Sequence, residues 1–333
     1  RFVVSLVSEA MELREAGIDD DILMLNYLED NYIYDVVKYN LTSSIFTYDK
    51  AFKLNEEAKK QGKIAKIHIA LDTGMSRIGF QTTNEVQRLN SLNEIIKISK
   101  LDNIDIEGIF THFANADIKD KTLTEKQYKN YQSMISLLEE NGINIRIKHV
   151  SNSASIMDLK DLNLDYVRAG IILYGYYPSD EVIKENLPLK KLMQLKANIS
   201  NIKQIEAGEG VSYTFSYIAK ERIKVATVPV GYADGVRRLL QNKLHVLYKD
   251  KTLKSIGNIC MDQFMVDASG TDAKIGDTVT IIGDGTNAAM TYDDLAKIEG
   301  TINYEVLTDM KDRISRIYYY DGEEVNLHNY KDV

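Results

Sequence analysis

The chain has 333 residues, 44% of them hydrophobic and 27% charged, with a formal net charge of −8. That length supports one large domain or two ordinary ones, and an acidic chain without a Lys/Arg block is a poor match for nucleic acid. A single cysteine, Cys260, excludes an internal disulfide and fits a reducing, cytoplasmic setting, and no apolar run approaches the roughly 20 residues that a bilayer crossing needs.

The chain opens on Arg1 rather than Met. Its apolar start, Val3 to Val7, is too short and too soon followed by charge to be a signal peptide. It reads as an element already under way, so a segment is expected before Arg1. A helix-like stretch follows from Ser8 to Arg14 and stops at Gly17. The apolar run Ile22 to Leu25 comes next, then Ser44 to Tyr48. A Glu/Lys-rich helix over 51–61 is closed by Gly62, and a strand runs from Lys63 to Leu71. The following helix sets Val86, Leu89, Asn93 and Ile96 on one stripe. Ile106 to Phe110 is another strand. Thr122 and Glu125 are placed for a capping box, and the helix they open carries Tyr128, Tyr131, Ile135 and Leu138 on one face until Gly142. Ile145 to Val150, then Asp165 to Arg168 with Ile171 to Leu173, complete the strand series.

Alternating strands and helices with short links indicate parallel βα units. These close either as a doubly wound open sheet or as a (β/α)8 TIM-type barrel. No G-x-G-x-x-G follows a strand, which favours the barrel. About seven of its eight strands can be counted, the first being expected upstream of Arg1. The texture changes near Pro178 and Pro188 to short β runs broken by glycines: Leu195 to Ile199, Ile223 to Val230, His245 to Tyr248, Met265 to Asp267 and Thr278 to Ile282. The predicted division is therefore a barrel domain over 1–188 and a mostly β domain over 189–333.

In a barrel the chemistry sits where strands end. Those positions hold Asp72 to Arg77, Thr111-His112, Ser151 to Ser153 and Arg168 to Ile171. Each has a plainer alternative. His112 could be a histidine satisfied by backbone, Arg77 a surface loop arginine, Ser153 a helix cap rather than part of a phosphate cradle with Gly170 and Ile171, and Arg168 one half of a surface ion pair. In the β half, Tyr213, Tyr232 and the pair Met261-Asp262 lie in polar clusters beside strands, where turns are the plain reading. Asp72-Thr73-Gly74 matches the aspartic-protease triplet, but a pairing of two such aspartates in an all-β fold is not offered here. The five histidines and one cysteine show no metal-ligand spacing, so no metal is expected.

Taken in order, Leu71 to Phe80, Glu107 to Phe113, His149 to Ala154, Val167 to Ile171, Val211 to Tyr213, Val230 to Gly235, Ile259 to Gln263 and Thr301 to Glu305 resemble the alanine racemase family over nearly the whole chain. The resemblance implies a pyridoxal 5'-phosphate (PLP) enzyme acting on alanine, as a head-to-tail homodimer with shared active sites. It implies a cytoplasmic protein that supplies D-alanine for peptidoglycan. Racemisation removes the α-proton on one face and returns it on the other, so two acid/base groups serve it best. The family uses a lysine and a tyrosine from the other subunit, and Tyr213 matches that tyrosine. Ordinary tyrosines titrate near about 10 and need help near neutrality; His112, with Arg168 behind it, matches that help. Arg168 also matches the residue facing the pyridine nitrogen. Ser153, Gly170, Ile171 and Tyr304 match phosphate contacts. Arg77 matches the arginine near the phenolic oxygen and substrate carboxylate, Met261 and Asp262 match substrate-side groups, and Tyr232 and Tyr304 match a narrow entry.

The sequence also departs from that pattern. No stretch matches the Val-Val-Lys-Ala-Asn-Ala-Tyr-Gly-type segment with the cofactor lysine, and Lys63 and Lys66 lie in a different strand. These 333 residues by themselves are therefore expected to be inactive and poorly soluble. Ala70 stands where many members have a lysine, and Asn258 where many have an arginine. The alternatives are a racemase for serine or another amino acid, and a non-catalytic PLP-binding homologue. The β half with Tyr213 speaks against the latter, and a tyrosine at 304 favours alanine over serine.

Overall fold

The structure is a computed structural model describing residues Arg1–His328. It divides into two compact units, one formed by Arg1–Leu173 with Tyr177–Pro188, the other by Tyr174–Tyr176 with the chain from Leu189 on. Among the described residues no helix is long and apolar enough to cross a membrane.

The first unit runs β1 (Phe2–Val4), α1 (Val7–Glu15), β2 (Ile22–Met24), α2 (Ile33–Lys38), β3 (Thr42–Ile45), α3 (Tyr48–Lys60), β4 (Ala65–Asp72), β5 (Phe80–Gln81), α4 (Glu85–Ile98), β6 (Ile104–Thr111), α5 (Thr122–Glu140), β7 (Ile147–His149) and α6 (Ser153–Asp158). All its strand pairings are parallel, in the order β1-β2-β3-β4-β6-β7, with the short β5 pairing β4. This is the curled parallel sheet that the alternating pattern indicated. Both faces of β4 are covered: Ile67, Ile69 and Leu71 are buried on one side, His68 and Ala70 on the other. Burial on both faces is what a parallel sheet wrapped by its own crossover helices requires.

Four expectations are corrected. Asp165 to Arg168 is not a strand. It runs beside β7 through two backbone hydrogen bonds, Asp165 N to Lys148 O at 3.1 Å and Arg168 N to Ser151 O at 2.9 Å. Ile171 to Leu173 lies in a short 3-10 turn, Ile171–Tyr174, where Leu173 N returns to Gly170 O. Helix α4 buries Ser91, Leu92, Ile95 and Ile98, while Val86 and Leu89 are exposed. Its core stripe is thus set by its C-terminal half, and full burial of each aliphatic there contributes about 1.5–3 kcal/mol. Thr122 is the first residue of α5 rather than its cap. Asp120 Oδ1 accepts both Thr122 N (2.9 Å) and Thr122 Oγ1 (2.6 Å) and so meets one of the first-turn backbone donors.

The second unit contains β8 (Leu195–Asn198), β9 (Asn201–Ile205), β10 (Gly210–Val211), β11 (Tyr217–Ile218), β12 (Ile223–Val228), β13 (His245–Tyr248), β14 (Lys251–Ile256), β15 (Phe264–Asp267), β16 (Thr278–Ile282), α7 (Tyr292–Glu299), α8 (Asn303–Thr308), β17 (Arg316–Tyr320) and β18 (Glu323–His328). Seven strands form one antiparallel sheet in the order β8-β16-β13-β14-β15-β12-β9. Ile205, Val211, Ile223, Val225 and Ile256 build an apolar cluster beneath β10 and β12. The alternation of apolar and polar residues along these short strands is what made the β character legible.

Candidate active site

In the first unit, the loop after β4 is shaped by its own aspartate. Asp72 Oδ1 accepts from Gly74 N at 3.0 Å and Ser76 N at 2.9 Å. Asp72 thus builds a turn, which accounts for the protease-like triplet. Gly79 crosses back over β4 at φ 129°, where a Cβ would lie 2.4 Å from Asp72 N; only glycine fits both constraints. The turn leaves Arg77 exposed, without a side-chain partner among the described residues. Leu25, Ala70, Asp72, Arg77, Phe110 and His112 line one small cavity of about 40 Å3 at the strand ends.

His112 follows β6, and its backbone carbonyl is held by Gln127 Nε2 at 3.1 Å. Its imidazole is held neutral, down to about 4, first by burial and then by the Arg168 and Arg77 charges. Arg168 is 8% exposed and meets no carboxylate among the described residues. Its Nη2 donates to Thr111 O (2.7 Å) and Val150 O (3.1 Å), its Nη1 to His149 O (3.1 Å), and Nη1 also lies 2.8 Å from His149 Nδ1. Its Nε is buried with no partner among the described residues. Burial lowers the guanidinium to about 10, so it stays cationic at neutral pH. Ser153 opens α6 after Asn152, whose Oδ1 caps Ser155 N at 3.1 Å, and Ser153 Oγ lies 3.0 Å from Gly170 N. Ile171 is buried next to that amide. The first unit thus gathers Arg168, His112, Arg77, Ser153, Gly170 and Ile171 at one end of the parallel sheet. Two guanidinium groups without carboxylate partners and a free buried N–H suit a ligand with anionic and acceptor groups.

The second unit presents an outward-facing set. Tyr213 is 69% exposed, yet its backbone is tightly constrained. Ser212, Thr214 and Phe215 all have positive φ (67°, 58° and 47°), conformations that surrounding structure must enforce. Ser212 Oγ donates to Asn258 O at 2.8 Å, Asn258 Nδ2 donates to Tyr213 O at 2.7 Å, and a Cβ at Gly257 would meet Ser212 Cβ at 2.7 Å. Beside this loop, Tyr232 N and Ala233 N donate to Cys260 O (3.1 Å) and Met261 O (2.9 Å). Gly231 makes this possible, because a Cβ there would lie 2.3 Å from both carbonyl oxygens. Arg313 then bridges Asp234 (2.9 Å) and Asp262 (2.8 Å). Tyr232 and Met261 are exposed, and Tyr304 is partly exposed at the start of α8.

The sequence reading missed His68, Glu107 and the bracing role of Asn258. The available signal was a histidine in a strand buried on both faces and a Glu-Gly pair inside the next strand.

Two family models match the chain: "Alanine racemase, N-terminal domain" over residues 1–178 and "Alanine racemase, C-terminal domain" over 192–318. This chain belongs to the alanine racemase family. The alanine racemase of Clostridium tetani (strain Massachusetts / E88) is 45% identical over 332 residues, which is 99% of this chain and 84% of the relative. That of Clostridium perfringens (strain SM101 / Type A) is 44% identical, with the same two shares. Among solved structures, the alanine racemase of Clostridium difficile 630 superposes with a TM-score of 0.93 at 46% identity, covering 98% of this chain and 84% of that one. The Bacillus anthracis alanine racemase with bound L-Ala-P gives 0.92 at 32% identity, covering 100% and 84%. The protein is therefore a racemase built on the family's parallel-sheet unit and antiparallel β unit.

Proposed function

We infer that this racemase interconverts L- and D-alanine with pyridoxal 5'-phosphate held at the end of the parallel sheet. The observation that carries the reading is the orphan Nε of buried Arg168, an N–H donor with no partner among the described residues, beside Ser153 and Gly170. A pyridine nitrogen offers the acceptor that this N–H lacks. The cofactor's phosphate suits the Ser153 hydroxyl, whose oxygen accepts the Gly170 N–H at 3.0 Å, and the Ile171 amide, and its phenolic oxygen suits Arg77. When bound, the cofactor would supply an electron sink for the Cα that loses its proton. A permanent cation opposite the ring nitrogen disfavours protonating it and keeps that electron uptake moderate.

The chain's own residues move protons and orient the substrate. Arg77 holds the substrate carboxylate. The partner subunit's Tyr213 exchanges the α-proton on one face, with neutral His112 offering its lone pair to the phenol. A phenol that is exposed on a constrained loop is presented for use by another molecule, which supports a homodimer with shared sites. Met261 and Asp262 meet the substrate from that same side, and Tyr232 with Tyr304 narrow the entry to small amino acids. We extend the reading to D-alanine supply for cell-wall synthesis in the cytoplasm. Rescue of a D-alanine auxotroph tests that extension, and failure by an enzyme active in vitro refutes it.

The main test is solvent-deuterium exchange at Cα in the active, cofactor-loaded enzyme. Tyr213→Phe should suppress exchange from one enantiomer while leaving exchange from the other. Equal retention for both removes Tyr213 from the mechanism.

A further inference from the structure

Three polar side chains inside the parallel sheet have no part in the reading above. His68 on β4 and His149 on β7 are 0% and 1% exposed, and His68 Nδ1 lies 2.8 Å from His149 Nε2. His149 Nδ1 lies 2.8 Å from Arg168 Nη1, and His68 Nε2 lies 3.2 Å from Glu107 Oε2. Phe110 stacks on the His149 ring with centroids 4.9 Å apart. A continuous chain thus runs Arg168, His149, His68, Glu107.

The backbone is shaped around it. The β4–β6 register steps from Ile67 opposite Ile106 to His68 opposite Gly108, leaving Glu107 as an extra residue in β6. A bulge of this kind re-aims a side chain, here bringing the Glu107 carboxylate to His68. A Cβ at Gly108 would lie 2.4 Å from His68 Cε1 and 2.5 Å from its Nδ1, so the missing side chain makes room for the ring.

The Arg168 end of the chain orients the protons. A guanidinium carries donors only, and a neutral imidazole has one donor and one acceptor nitrogen. His149 Nδ1 must therefore accept from Arg168. Its Nε2–H then donates to His68 Nδ1, and His68 Nε2–H donates to Glu107. Burial keeps both rings neutral. At the other end Arg1 Nη1 also faces His68 Nε2 at 3.0 Å and competes with a proton there; the Glu107 carboxylate, 3.2 Å from His68 Nε2 and 2.8 Å from Arg1 Nη2, favours Nε2–H by supplying an acceptor that the Arg168 end lacks. The opposite tautomers would set N–H against N–H at Arg168.

We propose that His149 and His68 are positioning residues: they lock the Arg168 guanidinium through an all-Nε2–H relay anchored on Glu107, so that its Nε–H faces the ligand. The relay stands on the geometry alone; its effect on the cofactor rests on the reading under Proposed function.

Neutron diffraction from deuterium-exchanged crystals of the cofactor-loaded racemase tests the relay directly. Deuterons are expected on Nε2 of both rings, with Nδ1 bare on both. A deuteron on His149 Nδ1 overturns the proposal whatever the cofactor does. The functional arm compares His149→Leu with His149→Asn, whose Oδ1 can stand in for Nδ1, by the visible absorption of bound PLP and by PLP affinity. Loss of a hydrogen bond to a charged group costs about tenfold or more. His149→Leu should therefore weaken PLP binding about tenfold and shift the band, and His149→Asn should recover most of both. A Leu variant that is only less heat-stable, with band and affinity unchanged, also overturns the proposal. A wild-type protein with no PLP band refutes the cofactor reading instead and leaves the tautomer result standing.

Discussion

Gly108→Ala gives a quantitative test of how β6 and His68 share space. The new methyl would sit 2.4, 2.5 and 2.6 Å from three ring atoms of His68, all far inside van der Waals contact. The ring cannot swing clear, because it is fully buried and held by His149 and Glu107. Overpacking of this kind costs typically about 1–3 kcal/mol, and displacing the ring strands buried partners at about 1–3 kcal/mol each. A loss of roughly 3 kcal/mol follows, which for a unit of this size lowers Tm by roughly 6–12 °C. The assay is a double-mutant cycle with His68→Ala, read by denaturant midpoints of the four proteins. Removing the ring should make Gly108→Ala nearly free, giving a coupling of about 2 kcal/mol or more. Additive losses would show that the alanine is resisted by something other than the imidazole, and the steric account would fail.

Four further outcomes follow from the same geometry. Arg168→Lys keeps the charge but removes the Nε donor and leaves the carbonyls of Thr111, Val150 and His149 short of donors. PLP affinity should fall by about tenfold or more, and equilibrium dialysis measures it. Gly231→Ala would drive a Cβ to 2.3 Å from the Cys260 and Met261 carbonyl oxygens; KM for alanine should rise, with a stability loss of about 1–3 kcal/mol by denaturant unfolding. Tyr213→Phe, at an exposed phenol, should leave Tm within about 1 °C while turnover collapses. Stability should also decline on acidification below pH 6.5. His112, His149 and His68 all have lowered values in the folded state, His112 reaching about 4, so the unfolded chain takes up protons that the native one refuses. Glu107, held at about 2 chiefly by its hydrogen bond to His68, extends the loss below pH 4.5. Denaturant midpoints that stay flat between pH 7 and 5 would contradict this.

The sequence made the parallel and antiparallel halves legible because each rests on a local period. Strands such as His245–Tyr248 and Thr278–Ile282 were bounded correctly, since turn residues flank them. It misled where tertiary contacts override local pattern. The apolar residues Val86 and Leu89 lie on the exposed first half of α4, and Ile171 to Leu173 looked like a strand because a half-buried 3-10 turn can be equally apolar. The candidate site was legible where a polar residue follows an apolar stretch, as at His112, Ser153 and Arg168. His68 was not, because β4 is buried on both faces and alternation there gives no hint of which neighbour a polar side chain meets. Glu107 was hidden by the bulge, since strict period-2 counting assigns it the wrong face.

That bulge also bears on the charge balance at the site. A buried guanidinium needs compensation, and a carboxylate against Arg168 would supply it most directly. Such a pair would also satisfy Nε and cancel the attraction for an incoming acceptor or anion. Placing the carboxylate two imidazoles away avoids this. Glu107 is surrounded instead by Arg1 (2.8 Å), Lys66 (3.3 Å) and Arg146 (3.9 Å), so its charge is balanced locally. The neutral rings pass on only the direction of hydrogen bonding. On the proposed reading, Arg168 keeps its full charge and one free N–H for the ligand, while its rotation is fixed from behind. A substitution that brought a carboxylate next to Arg168 should therefore weaken cofactor binding even if it raised stability, the opposite of what a purely structural ion pair would give.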